Sequence, residues 1–409
     1  MTSPSDLSLQ YLELEEKYGA HNYHPIPVVL TRGAGVYVWD VDGRRYYDCL
    51  SGYSAVNQGH CHPRIVAALM EQAGRLTLTS RAFHSDLLGE YAQYITDYFG
   101  YDKVLPMNTG VEAVETALKL CRRWGYQVKG IPEGKAKIVV CAGNFHGRTT
   151  TVISFSTDPD SKSGFGPYTP GFVIIPYNDT SALARALEDP HVAGFLVEPI
   201  QGEAGVVVPD AGYLSQAKAL CEAADVLFLG DEIQTGLGRT GKMLACEHEA
   251  VRPDILILGK ALSGGMLPVS AVLADDPIML TIRPGEHGST YGGNPLACKV
   301  AIAALDVLKA ERLPENAATL GDLFRKEIRD LQSPHIGEVR GKGLLNAIVI
   351  NHPRADAAWE LCLALKDRGL LAKPTHGDKI RLAPPLVITR EQLLECVDIV
   401  RESLSVLDR

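Results

Sequence analysis

The sequence predicts an α/β protein in which helices cover a mostly parallel sheet. From about residue 61, short apolar runs alternate with helical patterns, and this alternation is typical of parallel sheets. Two runs, at 226–229 and 255–258, are continuously apolar, as expected of strands buried on both faces. A chain of 409 residues with 46% hydrophobic content is long enough for two or three domains, or for one large domain with an appendage.

The predicted elements follow one another in a regular order. A polar N-terminal helix leads into two β-rich runs around Asp42-Gly43, a dipeptide that predicts a hairpin turn. Helical patterns cover residues 64–76, 85–99, 111–124, 181–186, 211–224, 296–310, 355–368 and 390–407. Further strand patterns cover residues 137–142, 172–175, 194–197, 341–350 and 379–382.

The same pattern suggests how the chain divides into domains. Polar, Gly- and Pro-rich loops at 157–171 and 283–295 interrupt the large α/β part, and long loops in compact domains are more often functional than idle. We expect an N-terminal segment over 1–60, a large domain over 61–310 and a C-terminal part over 311–409. The N-terminal hairpin and the C-terminal part are expected to form one smaller α/β domain.

Composition argues against several classes of partner. The net charge is −9, from 40 basic and 49 acidic residues without a block of like charge, so nothing suggests nucleic acid or an anionic membrane as a partner. No apolar run approaches the roughly 18 residues of a membrane span. The first 19 residues lack arginine and an apolar core, which argues against a presequence and favours the cytoplasm.

The cysteine pattern indicates neither disulfides nor a metal site. Nine cysteines are scattered singly without a CxxC pair, so we expect most of them to be small buried hydrophobes. His60-Cys61-His62 resembles a ligand run, but alternate side chains of an extended segment point in opposite directions and no carboxylate cluster accompanies them. We therefore predict no metal.

The strongest chemical signal is a pair of charged residues at strand ends. The runs at 226–229 and 255–258 each end in a glycine followed by a charged residue, Asp231 and Lys260. The carboxyl ends of strands open onto the ligand crevice of an α/β sheet, so the two side chains are expected to face one site. Pyridoxal phosphate suits them, because its aldehyde condenses with a lysine amine and its ring nitrogen needs a carboxylate. A structural ion pair is the alternative, and Glu232 competes with Asp231.

Two loops add weaker signals for an anion and a planar ring. Gly110 precedes a helix, where free N–H groups can hold a phosphate, although glycine before a helix is common. After the strand at 137–142, Phe145 can stack on a ring and Arg148 can bind a carboxylate with its planar fork. A core aromatic residue and a solvated arginine explain the second loop equally well.

Further charged and hydroxyl side chains follow other strands. Glu198 and Glu203 follow the strand at 194–197, and Arg381 lies within an apolar strand, where a permanent charge requires a partner. We hypothesise that Glu203 is this partner. The stretch 288–294 offers two hydroxyls among glycines, which suits an anion or a flexible surface loop.

Several motifs in their order resemble one family. They are NTGVEAVETALK, GNFHGRT, VEPIQGE, DEIQTGLGRTG, LGKALSGG and GSTYGGNP, and they resemble the class III aminotransferases of the fold-type I pyridoxal phosphate enzymes. The likeness runs from about Asn22 to the last helix and implies a large domain with a seven-stranded, mostly parallel sheet. NYHPIPVVL, SAVNQGHCHPRI, LTSRAF, RGKGLLNAIVI and GLLAKPTHGDKIRLAPPL resemble the members of the class that act on ornithine.

The resemblance implies roles for the residues around the cofactor ring. Lys260 is expected to bind the cofactor covalently and to move the proton, and Asp231 is expected to be the partner of the ring nitrogen. Phe145 resembles the stacking residue, and Gln234 resembles the partner of the phenolic oxygen.

The resemblance also implies how the phosphate is held. Gly110 and Val111 resemble the backbone positions that bind it. Ser289 and Thr290 match positions that reach the phosphate of the neighbouring subunit. This implies at least a homodimer with shared sites.

The substrate residues implied by the resemblance lie at five positions. Arg148 is expected to bind the carboxylate of ornithine, Tyr23 its α-amine, and Tyr53 is expected to line the pocket. Arg381 is expected to bind the α-carboxylate of 2-oxoglutarate or glutamate, with Glu203 masking it while ornithine is bound.

Two further positions carry weaker implications. Glu198 is a candidate supporting residue at the end of its strand. His146 stands where some relatives carry tryptophan, which leaves pocket width and fine substrate preference open.

The activity implied is transfer of the δ-amino group of L-ornithine to 2-oxoglutarate. The products are glutamate 5-semialdehyde, which cyclises to pyrroline-5-carboxylate, and L-glutamate. Two alternatives stay open: an ω-aminotransferase acting on N-acetylornithine, 4-aminobutyrate or lysine, and a cofactor-binding protein without catalytic activity.

Overall fold

Strands and helices alternate through the middle of the computed structural model, which describes residues 5–408. The strands are β1 Leu30–Ala34, β2 Tyr37–Asp40, β3 Arg45–Asp48, β4 Lys103–Met107, β5 Lys137–Cys141, β6 Phe172–Ile175, β7 Val192–Val197, β8 Leu227–Asp231, β9 Ile255–Leu258, β10 Ser270–Ala274, β11 Ile336–Lys342, β12 Leu345–Ile350, β13 Leu370–Leu371, β14 Lys373–Thr375 and β15 Lys379–Leu382. The helices are α1 Asp6–Tyr18, α2 Ser51–Ser54, α3 Pro63–Ala73, α4 Asp86–Phe99, α5 Gly110–Gln127, α6 Thr150–Ser154, α7 Pro159–Lys162, α8 Thr180–Ala186, α9 Tyr213–Ala223, α10 Asp276–Met279, α11 Pro295–Ala310, α12 Leu313–Asp330, α13 Ala357–Asp367 and α14 Arg390–Ser403.

The central sheet has seven strands in the order β4-β10-β9-β8-β7-β5-β6. Strand β10 is antiparallel to both β4 and β9, and the neighbouring pairs from β9 to β6 are parallel. The predicted seven-stranded, mostly parallel sheet is confirmed. Strands β7, β8 and β9 are buried along their whole length, because their apolar side chains are covered on both faces.

Helix α5 covers one face of this sheet with the apolar stripe that the sequence predicts. Val114, Ala117, Leu118 and Cys121 are all buried in a core shared with the central strands. The helix follows β4, and its first residue lies at the same edge of the sheet as the carboxyl ends of β5, β7, β8 and β9.

The N- and C-terminal segments share a second sheet. Strands β2 and β3 form the predicted hairpin, in which Gly43 adopts a positive φ of 81°. Strand β3 also pairs in parallel with β13 from the C-terminal part. Strands β11, β12, β15 and β14 form a third, antiparallel sheet. The domain boundaries at 60 and 310 stay predictions.

Several elements were not predicted from the sequence, among them strands β4 and β10 and helix α12, and two predicted elements differ from the structure. Strand β4 contains a proline and β10 reads Ser-Ala-Val-Leu-Ala, and each has a single β-branched residue, which is a weak signal for a strand. Helix α12 was missed as well. The predicted strand over 341–350 is two antiparallel strands joined by a turn at Gly343, where φ is 54°. Helix α14 ends earlier than predicted and continues as a 3-10 turn over Leu404–Asp408.

Eight of the nine cysteines are buried, and the exposed one is Cys61. No helix within residues 5–408 is both long and apolar enough to cross a membrane. Over the same range, no group of three or more His, Cys, Asp or Glu side chains is arranged to hold a metal ion. Residues 1–4, which belong to the start assessed above for a presequence, and residue 409 lie outside the described part of the chain.

Candidate active site

A cavity of about 260 Å³ lies at the carboxyl edge of the central sheet. Strand ends, the loop after β5 and the start of α5 contribute its walls. The lining includes six residues that the sequence analysis assigned to a cofactor: Gly110, Val111, Phe145, Asp231, Gln234 and Lys260. The structure therefore brings together residues that are far apart in the chain.

Lys260 follows β9 and starts a 3-10 turn with a positive φ of 46°, a conformation that is uncommon for a residue with a side chain. Within the described residues, its amine has no hydrogen-bond or ion-pair partner. Burial lowers the pKa of Lys260, and the negative charges of Glu203 and Asp231 oppose this effect only in part. The lowered pKa makes the neutral, nucleophilic form of this amine easier to reach than for a lysine in solvent.

Asp231 is the last residue of β8, and its side chain is 4% exposed. Its Oδ1 accepts a hydrogen bond from the Ile233 amide (3.1 Å), and its Oδ2 accepts one from His146 Nδ1 (2.6 Å). The neighbouring Glu232 is fully buried, and it accepts hydrogen bonds from Thr235 Oγ1 (2.5 Å) and the Cys246 amide (2.8 Å). Asp231 lines the cavity, whereas Glu232 does not and is held by hydrogen bonds within the protein.

The start of α5 offers free N–H groups to this cavity. Thr109 caps the helix, and within residues 5–408 the amides of Gly110 and Val111 have no acceptor. Gly147 has a φ of 122°, and a Cβ there would lie 2.6 Å from Val111 Cβ. Only glycine permits this close approach of the 143–148 loop to the helix.

The same loop presents Phe145 to the cavity. Its amide donates to Glu198 Oε1 (2.8 Å), so Glu198 holds the loop in place. Burial raises the pKa of Glu198 to about 7, although the charge of His146 lowers it. The Arg148 guanidinium lies 5.6 Å from the centre of the Phe145 ring.

A buried ion pair lies beside Lys260. Arg381, on β15, is 5% exposed and forms an ion pair with Glu203. Gln234 Nε2 donates to Glu203 Oε1 (3.0 Å) and to the carbonyl oxygen of Tyr53 (3.3 Å). Burial raises the pKa of Glu203, but the charges of Arg381 and Lys260 outweigh it, and the pKa is lowered overall. Glu203 is therefore an anion that neutralises the arginine.

Tyr53 is near both arginines that the sequence indicates as substrate ligands. The Arg381 guanidinium is 5.1 Å from its ring centre. Burial raises the pKa of the Tyr53 hydroxyl, with Arg381 and Arg148 opposing and Glu203 and Tyr23 adding to the effect. The other four predicted substrate residues thus all lie close enough to affect the pKa of the Tyr53 hydroxyl.

Arg148 and Tyr23 are both exposed to solvent. Arg148 Nη1 donates to Ser161 Oγ (3.2 Å), and Ser161 donates to Asp158 Oδ2 (2.7 Å). The ammonium of Lys373 lies 5.7 Å from the centre of the Tyr23 ring. Ser161 and Lys373 support predicted site residues.

Ser289 and Thr290 lie outside the cavity lining. Asn108 Nδ2 donates to Ser289 Oγ (2.8 Å), and the Gly292 amide donates to the same oxygen (3.1 Å). Thr290 is exposed. Among the predicted cofactor residues, these two are the ones that this chain does not bring to its own cavity.

Some residues of the site were not among those predicted from the sequence. Ile233 and Thr235 line the cavity next to the predicted residues Asp231 and Gln234. All four belong to the DEIQTG motif, so the motif as a whole could have indicated them. Lys373 comes close to the site through the pairing of β14 with β15. Ser161 is brought to Arg148 by the short helix α7. No spacing in the sequence reveals either of the last two.

The cavity combines a nucleophilic amine, a buried carboxylate, an aromatic ring and free amides at a helix start. This set fits pyridoxal phosphate, which carries an aldehyde, a basic ring nitrogen and a phosphate. The family described as "Aminotransferase class-III" matches residues 18–404. The chain therefore belongs to the class-III aminotransferases, which depend on pyridoxal phosphate.

The chain is similar to known aminotransferases over nearly its whole length. "Ornithine aminotransferase, mitochondrial" from Rattus norvegicus is 64% identical over 97% of this chain and 91% of its own length. A solved ornithine aminotransferase from Toxoplasma gondii, with PLP at its active site, is 47% identical with a TM-score of 0.97, covering 100% of this chain and 99% of that one. A solved acetylornithine aminotransferase from Elizabethkingia anophelis is 60% identical with a TM-score of 0.90, covering 98% and 99%.

Proposed function

We propose that the protein transfers the δ-amino group of L-ornithine to 2-oxoglutarate. The products are glutamate 5-semialdehyde, which cyclises to pyrroline-5-carboxylate, and L-glutamate. The observation that carries the proposal is the ion pair between Glu203 and Arg381 beside an accessible Arg148. One carboxylate-binding arginine is masked and the other is open, as two successive half-reactions with different substrates require. The names of the full-length relatives support the same substrate.

The residues of the cavity divide the task of holding the cofactor. Bound pyridoxal phosphate supplies an aldehyde that takes up the amino nitrogen and a ring that withdraws electrons. Lys260 holds it covalently, Asp231 pairs with its ring nitrogen, and Phe145 stacks on the ring. The amides of Gly110 and Val111 bind its phosphate.

Two residues act on the reacting atoms. Lys260, once its amine is free, removes the proton from the δ-carbon of ornithine, and its lowered pKa favours the neutral form that this step needs. Gln234 contacts the phenolic oxygen of the cofactor. Its two amide hydrogens now bond Glu203 and Tyr53, so it exchanges one of these partners to do so.

The substrate is oriented by its α-amino acid end. Arg148 grips the carboxylate, Tyr23 contacts the α-amine and Tyr53 lines the pocket, so the δ-amine faces Lys260. In the second half-reaction Glu203 moves away, and Arg381 binds the α-carboxylate of 2-oxoglutarate.

The proposal includes a homodimer with shared active sites. Met70, Phe83 and Tyr291 are large apolar side chains that are exposed in the single chain, and an interface would cover such groups. Ser289 and Thr290 serve the phosphate of the partner subunit, which agrees with their position outside the cavity of their own chain.

A second candidate is a related ω-aminotransferase that acts on N-acetylornithine. The 60% identical acetylornithine aminotransferase favours it. The two candidates differ at Tyr23, because an acetylated α-nitrogen no longer offers an ammonium to the tyrosine. A cofactor-binding protein without activity is disfavoured, because the amine, the carboxylate and both arginines are present together.

The test compares donors in a single half-reaction. The holoenzyme receives ornithine, N-acetylornithine or 4-aminobutyrate without an oxo acid, and cofactor absorbance and trapped pyrroline-5-carboxylate are followed. We expect fast bleaching and trapped product with ornithine alone. Faster reaction with N-acetylornithine or 4-aminobutyrate would move the substrate assignment to the second candidate or another ω-amine, and no bleaching with any donor would refute catalysis.

Two variants sharpen the comparison. Lys260→Ala should lose at least about a hundredfold in rate because no base remains at the δ-carbon. Tyr23→Phe should impair ornithine more than 4-aminobutyrate, which has no α-amine.

The cytoplasmic location also remains part of this proposal. The rat relative is named as mitochondrial. Fractionation of cells that express the tagged full chain decides between the two compartments.

A further inference from the structure

We propose that His146 is a positioning residue that holds the Asp231 carboxylate in its orientation toward the cavity. The inference deepens the proposed function and rests on Asp231 facing the ring nitrogen of the cofactor. It assigns His146 to cofactor binding, not to the width of the substrate pocket.

The contact is short and fully enclosed. The His146 side chain is 1% exposed, and its Nδ1 lies 2.6 Å from Asp231 Oδ2. An ionised carboxylate can only accept, so Nδ1 carries the hydrogen. Nδ1 is a donor in the charged imidazole and in the neutral tautomer that carries its hydrogen on Nδ1, so the contact persists in both of these forms.

The far side of the ring has no comparable anchor. His146 Nε2 is buried and has no hydrogen-bond partner among residues 5–408. Burial opposes a charge on the ring, but the hydrogen bond and the charges of Asp231 and Glu198 outweigh it, and the pKa of His146 is raised. In the described part of the chain, the His146 side chain thus makes its one hydrogen bond with Asp231.

Asp231 depends on this donor because it has few others. Oδ1 has the Ile233 amide as its protein partner, and Oδ2 has His146. A buried carboxylate needs such partners to stay ionised and fixed. Each oxygen keeps a free lone pair, so His146 fixes the carboxylate without blocking its contact with the ring nitrogen.

The competing explanation is simple packing. The His146 ring lies 5.9 Å from the Phe155 ring, centre to centre, and an apolar residue would serve that contact equally well. Three substitutions separate the two roles. His146→Asn keeps an N–H donor near Nδ1, His146→Leu keeps bulk without a donor, and His146→Gln moves the amide toward the Nε2 end.

The experiment measures the affinity of the purified apo-protein for pyridoxal phosphate by fluorescence titration. The kcat of each reloaded variant and its KM for both substrates are measured alongside. We expect His146→Leu and His146→Gln to raise the cofactor Kd by roughly tenfold to a hundredfold, the cost of a hydrogen bond to a charged group. Their kcat falls while both KM values stay within about twofold, and His146→Asn restores Kd to within about fivefold.

Two results would overturn the proposal: an unchanged Kd in His146→Leu and His146→Gln, or an equal loss in all three variants. Thermal unfolding of each apo-protein shows whether the variant is folded, and the polar Gln variant replaces Leu if Leu is not. Cofactor affinity does not depend on the amine donor, so a failure of the ornithine assignment leaves this test valid.

Discussion

At the scale of single residues, the masked arginine decides which substrate each half-reaction accepts. Arg381 is buried and permanently charged, and Glu203 neutralises it. Glu203→Gln removes the charge but keeps the size. We expect glutamate to gain at least about tenfold in kcat/KM relative to ornithine, because Arg381 is then free for an α-carboxylate. The exposed Glu188→Gln is the matched control, and a ratio unchanged from wild type would contradict the mask.

The pH dependence of this mask follows from the pKa of Glu203, which lies below its usual value. A carboxyl group with a lowered pKa stays ionised until the pH falls to that lowered pKa. The ion pair between Glu203 and Arg381 is therefore fully present above the ordinary pKa of a glutamate, and it is lost only as the pH falls through the lowered pKa of Glu203. The ratio of wild type to Glu203→Gln in glutamate kcat/KM should therefore stay constant from about pH 6 to about pH 8. A ratio that collapses toward one near pH 6 would show that Glu203 titrates there.

The sequence predicts some of these residues better than others. Asp231 and Lys260 were found because each closely follows a run of apolar residues, which local pattern reveals. The partners Glu203 and Arg381 are 178 residues apart, and only the folded chain brings them together. The contact of His146 with Asp231 is hidden for the same reason.

At the scale of elements, the pairing of β14 with β15 places Lys373 directly opposite Arg381. Like charges at paired positions destabilise a sheet, and burial and then Arg381 lower the pKa of Lys373. Two neighbouring positive charges attract an anionic substrate such as 2-oxoglutarate. Lys373→Met should raise the KM for 2-oxoglutarate by roughly threefold to tenfold, leave the KM for ornithine within about twofold and not lower Tm. The exposed Lys326→Met is the control, and equal effects on both substrates would contradict this role.

Helix α5 lies so close to the sheet that β7 needs a glycine. A Cβ at Gly194 would lie 2.4 Å from Cys121 Sγ and 2.9 Å from Leu229 Cδ1. Gly194→Ala should lower the free energy of unfolding by about 1–3 kcal/mol, seen as a reduced Tm, and Cys121→Ala should restore part of it. Gly89→Ala, in α4 with open space around it, should instead stabilise the protein by up to about 1 kcal/mol. Equal Tm values for the two glycine variants would refute this packing.

Elements differ in how well pattern predicts them. The fully buried strands β8 and β9 were recognised from unbroken apolar runs, with bounds close to those observed. Strand β10 was missed because serine and alanine signal no strand by themselves, and its place between β4 and β9 makes it one. Register and long-range pairing depend on the whole sheet and are not written in any short stretch.

At the scale of the whole molecule, shared active sites make a prediction about hybrid dimers. A Lys260→Ala chain and a Thr290→Asp chain should each be inactive alone, the second because an added carboxylate repels the phosphate. A purified hybrid of the two contains one site with both native residues, so it should recover up to about half of wild-type activity. A hybrid of Lys260→Ala with Lys260→Asn has no such site. No recovery in the first hybrid would contradict sharing.

The central claim is that Arg148 and the masked Arg381 present the δ-amine, and not the α-amine, of ornithine to Lys260. The most direct measurement follows the nitrogen. Ornithine labelled with 15N at the δ position is converted with 2-oxoglutarate, and the glutamate formed is analysed by mass spectrometry. We predict that the glutamate carries the label in full. Unlabelled glutamate would mean that the α-amine is transferred, and the assignment of the two arginines would be wrong.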